Sequence, residues 1–184
     1  MARKIKYSKE EILEKSIEFI KENGYSNLTV RNLAKYIGCS TQPLFKNYEN
    51  FDLYKDDLKQ CLRRDYTSFI EKYIDTNDYL YTISCAYALY AKKEPNIFYS
   101  MFMADLAGSR TVSEVLNTDR NMETINAMVR QYNISLENAK RIYREVRFYT
   151  HGIATQLCVN SIVLTDKEIK DLIRNNIELN LRGM

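Results

Sequence analysis

Apolar residues recur along this chain at the spacing of one helix face after another. Ile12, Leu13, Ile17, Phe19 and Ile20 mark a first helix, which Ser8-Lys9-Glu10-Glu11 opens as a capping box and Asn23-Gly24 closes. Val30, Leu33, Ala34 and Ile37 form the inward face of a second helix, with Thr29 at its N-cap position. Gly38 stands where the chain needs a left-handed residue to leave that helix. Ser40 is placed to cap a short third helix. Pro43 falls in its first turn, where a missing N–H costs little, and Leu44, Phe45 and Tyr48 can pin it down.

The helical pattern continues. Asn50 or Asp52 opens a long helix to about Ile74, with Tyr54, Leu58, Leu62, Tyr66, Phe69 and Tyr73 on one stripe. Residues 78–93 follow, closed by Lys92-Lys93-Glu94-Pro95, then 97–107, ending at Gly108. Shorter segments are expected over 111–117 and 120–132. Ser135 caps a helix that can run to Val163, with Gly152 as a point where it could bend. Thr165-Asp166-Lys167-Glu168 is a second capping box, opening a last helix through Ile169, Leu172, Ile173, Ile177 and Leu181. The expected fold is all-α, without repeats, low-complexity tracts or linkers.

Composition agrees. Five Gly and two Pro among 184 residues are too few for a turn-rich β fold. The net charge is only +3, but it is unevenly placed. Residues 1–48 carry nine Lys and Arg against five Asp and Glu, whereas the rest carries eighteen against nineteen. No acidic residue lies between Asn23 and Tyr48, and the basic stretch Arg3-Lys4-Ile5-Lys6 precedes the first helix. Positive charge gathered on one small module is what phosphate neutralisation requires.

The same reading excludes other classes. Cys39, Cys61, Cys85 and Cys158 are scattered, with no C-x-x-C and one histidine, which argues against a zinc site or a disulfide framework. A reduced, cytoplasmic setting is the simpler expectation. The uncharged run Phe148 to Thr165 contains Thr150, His151, Gln156, Asn160 and Ser161, too polar to span a membrane. No signal peptide is expected. A single histidine and no nucleophile–base–orienter spacing argue against an enzyme, and no cofactor or metal is expected.

Residues 29–48 therefore read as helix, turn and short second helix, the layout of a helix-turn-helix DNA reader. Arg31, at the exposed start of the first of these helices, can fork to a guanine, and Thr41, Gln42 and Asn47 are the next candidates for base edges. Thr29, Lys46 and Tyr48 are placed to hold phosphates.

Taken in order, the first helix, Gly24, the hydrophobic-Thr start of the second helix, Gly38-x-Ser40, the Leu44-aromatic pair and the aromatic at 48 resemble the TetR family of transcriptional regulators over about residues 8–58. The resemblance implies a homodimeric regulator of repressor type on palindromic double-stranded operator DNA. Residues 1–48 would form the three-helix DNA-binding domain, and 49–184 a helical effector-binding and dimerisation domain. The long helix after Tyr48 would join head to sensor. The family usually has Tyr at the position of Phe45, Tyr or His at Asn47, Phe at Tyr48, and a phosphate-gripping Lys at Phe51; Lys46 and Lys55 stand near that last position.

Within the second domain, Tyr87, Tyr90, Phe98 and Phe102 crowd two consecutive helices, and aromatic walls with hydroxyls suit a planar or apolar effector. Arg147 to Ala154, including Tyr149 and His151, resembles the penultimate-helix signature of one TetR subgroup, with Thr150 in place of its Trp. Leu157, Val163, Ile169, Ile173 and Ile177 are apolar on the last two helices, which places the dimer interface there. Two further readings stay open: a helical adaptor that keeps the fold without operator binding, and an α-helical enzyme.

Overall fold

Helix starts written into the sequence appear as hydrogen bonds. Ser8 Oγ accepts from the Glu11 amide at 3.1 Å while the Glu11 carboxylate accepts from the Ser8 amide at 2.7 Å. Thr165 and Glu168 repeat the exchange at 3.2 and 2.7 Å. Thr111 and Glu114 form a third capping box that the sequence reading did not anticipate.

The computed structural model describes residues 7–104 and 109–183, and the side chains of these residues other than Pro43 and Phe45. The basic stretch at 3–6 lies outside them, as does the anchoring role expected of Phe45; the helix expected over 97–107 ends instead at Phe102, with a turn at Met103 and Ala104. The helices are α1 (Lys9–Asn23), α2 (Val30–Ile37), α3 (Gln42–Asn47), α4 (Phe51–Glu71), α5 (Tyr79–Lys93), α6 (Pro95–Phe102), α7 (Val112–Leu116), α8 (Asp119–Tyr132), α9 (Leu136–Cys158) and α10 (Asp166–Arg182), with a 3-10 turn at Tyr25–Asn27. No strand occurs among the described residues, so the all-α expectation is met.

The chain packs as two units, Met1–Tyr66 with Asn96–Ala107, and Thr67–Pro95 with Gly108–Met184. The first takes in more than the initial 48 residues because α4 supplies its core. Tyr54, Leu58 and Leu62 are buried together with Ile12, Ile20 and Leu33. The Tyr54 hydroxyl donates to Ser16 Oγ at 2.7 Å, and Ser16 in turn donates to the Ile12 carbonyl at 2.6 Å. Lys9 pairs with Asp57 at 2.5 Å, again joining α1 to α4. Asn96, at the start of α6, donates from Nδ2 to the Lys21 carbonyl at 2.8 Å.

In the second unit, α5, α8, α9 and α10 close over Leu80, Ile125, Met128, Ile142, Val146 and Ile153, with Ile169, Ile173 and Ile177 filling the α10 side. Arg174 clasps α10 to the start of α5. It donates to Asp78 at 2.6 Å and lies over the Tyr81 ring, 3.5 Å from its centroid.

Three further expectations are corrected here. Helix α9 stops at Cys158 instead of reaching Val163, because the chain leaves through Asn160 at a φ of 54°, a conformation that asparagine tolerates. It also runs through Gly152 without a break. Finally, Leu157, Ile169, Ile173 and Ile177 are covered by their own chain, each 5 % exposed or less, so of the residues on which the dimer was argued only Val163 faces outward.

Candidate nucleic-acid interface

The reader is built from local bonds. Thr29 Oγ1 accepts from the Asn32 amide at 3.1 Å and starts α2, and Asn32 Nδ2 donates back to the Asn27 carbonyl at 2.8 Å. Leu33 and Ala34 turn inward and are buried, while Val30 and Ile37 are half-buried at the edges of that face. Gly38 ends the helix at φ 78° and ψ 30°, the left-handed conformation its position requires. The Cys39 amide then donates to the Ala34 carbonyl at 2.9 Å, closing the turn.

Helix α3 begins differently from expectation. Ser40 does not cap it; the N-cap position falls on Thr41, in the right-handed helical region and without a side-chain bond to the helix. With Thr41 already helical, its hydroxyl is not swung over the first amides as in an extended N-cap. Pro43 in the first turn, as expected, removes one of the donors that a cap would serve. Leu44 and Tyr48 anchor the helix, both 5 % exposed.

The outward residues follow from this frame. Arg31, Lys35, Gln42 and Lys46 are exposed, as is Thr29, whereas Thr41 and Asn47 are half-buried. Asn47 Nδ2 donates to the Tyr7 carbonyl at 3.2 Å, so its amide serves an internal bond. Tyr48 does not present a hydroxyl to solvent. Its ring meets Tyr54 edge-on at 5.3 Å with the Lys9 ammonium 4.7 Å from its centroid. Burial, and then the negative charge of Asp57, push its phenol up. The aromatic at 48 is part of the core, and that placement removes it from the phosphate-holding set.

At the start of α4, Asn50 Oδ1 accepts from the Leu53 amide at 2.9 Å and is the cap. Phe51 stacks on Tyr54 at 5.0 Å, and the Lys55 ammonium sits 5.3 Å from the Phe51 ring centroid. A cation is thus supplied one turn later, over the residue that stands where the resemblance puts a lysine.

The six residues expected to line an effector pocket are divided between the two units. Tyr87 and His151 meet in the second unit, with the Tyr87 hydroxyl 2.9 Å from His151 Nδ1. Burial, then the charge of Arg147, lowers the pKa of that imidazole. Tyr90, in the same unit, is 1 % exposed and packs against Phe69 at 5.0 Å. Phe98 and Phe102 belong to the first unit, where they pack on each other at 4.8 Å and Phe102 meets Tyr66 at 5.3 Å. Tyr149, two positions from His151 and therefore on another face of α9, is 37 % exposed. An open depression of about 630 Å³, lined by Leu116, Leu136, Lys140 and Arg141 among others and by none of the six, was not anticipated. Among the described residues, no group of three or more His, Cys, Asp or Glu could hold a metal ion, and no helix is long and apolar enough to cross a membrane.

No family model matches the sequence, and no curated protein matches it. Solved structures do share the fold. A TetR-like transcriptional regulator from Rhodococcus sp. RHA1 aligns over the whole of both chains with a TM-score of 0.68 at 12 % identity. A single-substitution variant of TetR from Acinetobacter baumannii AYE, in complex with minocycline, aligns over 97 % of this chain and 96 % of its own with a TM-score of 0.58 at 17 % identity. The chain has the fold of these regulators.

Proposed function

We propose that this protein is a DNA-binding transcriptional regulator of the TetR type, working in the cytoplasm as a homodimer and answering to a small-molecule effector. The observation that carries the reading is the helix-turn-helix itself. Arg31, Lys35, Gln42 and Lys46 are exposed on a stretch of chain without one acidic residue, on the fold of known regulators. Residues 1–48 form the reading head, with α4 and α6 packed into the same unit, and the helices beyond serve assembly and sensing. Arg31, Gln42 and Thr41 supply base contacts. Thr29 and Lys46 supply backbone contacts and orientation.

Dimerisation through α9 and α10 is supported by apolar groups left uncovered on these helices and on the segment that joins them. Phe148 is 56 %, Val159 50 %, Val163 95 % and Leu179 66 % exposed. Phe148 and Gly152 lie along one face of α9, Val159 directly follows the helix, and an added Cβ at Gly152 meets nothing within 4 Å. An effector would act by preferring one of two states of the dimer and so changing the spacing of the two heads. The Tyr87–His151 pair is the polar group offered for it. Repression is the expected outcome of binding.

Salt-dependent retention on duplex DNA tests the reading. The wild-type protein should lose affinity steeply as salt rises. Lys46→Ala should shallow the slope by roughly 0.9 per bound copy while weakening all sequences alike. Absence of duplex binding at low salt would remove the proposal.

A further inference from the structure

Tyr7, the first described residue, bonds to both helices of the reader. Its hydroxyl donates to the carbonyl of Ile37, the last residue of α2, at 3.2 Å. Its own carbonyl accepts from Asn47, the last residue of α3, at 3.2 Å. One half-buried residue therefore bridges the C-terminal ends of two helices that are otherwise joined by a turn.

The bridge matters because α3 is short and uncapped. It is six residues long and opens on Thr41 without a side-chain cap. A helix that short is not stable by itself and takes its pose from tertiary anchors. Leu44 and Tyr48 fix its buried side. Such apolar contacts oppose lifting, while directional hydrogen bonds at the far end oppose rotation and sliding along α2.

We infer that Tyr7 is a positioning residue for DNA reading: it sets the pose of α3 on α2, and Asn47 serves that pose instead of a base edge. The inference rests on the DNA-reading function proposed above. Bidentate contacts to base edges depend on the angle at which a helix is presented. A lysine reaching a phosphate on a flexible stem tolerates a shifted helix. Loss of the bridge should therefore cost sequence discrimination and spare general affinity.

The experiment compares wild type, Tyr7→Phe and Asn47→Ala at a temperature well below their melting points. The wild-type protein first selects a duplex from a random-sequence pool. Affinity is then measured for that duplex and for a mixed-sequence duplex of equal length, and each variant repeats the selection. Each variant should lower the selected-to-mixed affinity ratio by about fivefold, the worth of one net hydrogen bond. Mixed-duplex affinity and salt slope should hold, and each variant should reselect the wild-type sequence. Tyr7→Phe keeps the ring, so the module stays folded. A new base preference for Asn47→Ala with an unchanged ratio for Tyr7→Phe would make Asn47 a base reader and overturn the inference. Lower melting temperatures with unchanged ratios would leave Tyr7 a structural residue only, which also overturns it. A wild-type protein that selects no sequence would remove the DNA-reading function itself, a result distinct from both.

Discussion

Replacing Ser16 with Ala should destabilise the protein more than replacing Tyr54 with Phe, and making both changes should cost less than Ser16→Ala alone. Tyr54 is 1 % exposed and Ser16 fully buried, and their hydroxyls lie 2.7 Å apart. Tyr54→Phe keeps the ring and removes one neutral hydrogen bond, a loss of about 1 kcal/mol. Ser16→Ala removes the acceptor and leaves the Tyr54 hydroxyl buried without it, which adds a desolvation cost of roughly 1–3 kcal/mol. The better helix propensity of alanine returns only about 0.5 kcal/mol. In the double variant no hydroxyl is stranded, so that penalty disappears, and the coupling between the sites should be about 1–2 kcal/mol. Urea unfolding followed by far-UV circular dichroism measures it, since the chain has no Trp. Hydrogen exchange at the α1 amides identifies the transition as that of the first unit, because a chain of two units need not unfold in one step. Additive costs in the double variant would show that the two hydroxyls do not depend on each other, and the reasoning from their geometry would fail.

Arg31→Ala should cost roughly 1–3 kcal/mol on the selected duplex and relax preference at one base pair per half-site; equal losses on every single-base variant at fixed salt would limit Arg31 to phosphate. The pKa of His151 is lower in the folded protein than in the unfolded chain, so the unfolded state binds the proton more readily. Stability should be full above about pH 6.5 and fall as pH drops from there through the folded pKa, and His151→Gln should flatten that part of the melting-temperature profile; an unchanged slope refutes the assignment. Sedimentation at micromolar concentration should give twice the 21.7 kDa chain mass, and Val159→Glu with Leu179→Glu should return it to a single chain; a wild-type protein sedimenting as one chain would contradict the assembly proposed for α9 and α10.

What the sequence disclosed was mostly what lies within four residues. The boxes at Ser8 and Thr165, the Thr29 cap and the Gly38 turn are exchanges between near neighbours, and the residue types that can make them are few. Ser40 misled because two hydroxyl residues compete just before Pro43, and the N-cap position falls on Thr41, whose side chain does not cap the helix. Bonds that cross the chain had no such signal. Tyr7 reaches partners thirty and forty positions away, and Arg174 reaches Asp78 across ninety-six. The apolar stripe Ile169, Ile173 and Ile177 was legible as a stripe, but periodicity cannot say whether a second copy or the chain's own α5, α8 and α9 will cover it. The six aromatic and histidine positions expected around one effector divide between two units, and helical spacing shows only that a residue turns inward, not which neighbours it meets.

Gly152 carries a consequence for anyone who engineers this protein. A glycine in mid-helix costs roughly 0.5–1 kcal/mol against alanine. At this site the backbone needs no positive φ and a methyl group would meet nothing within 4 Å, so the isolated chain has no internal reason to keep it. If two copies of α9 meet along the face of Phe148 and Gly152, the bare backbone there sets how near they can come. Gly152→Ala would then raise the melting temperature of a single chain while forcing its neighbour away. A stability screen that is blind to association would therefore favour a substitution that works against that meeting of helices.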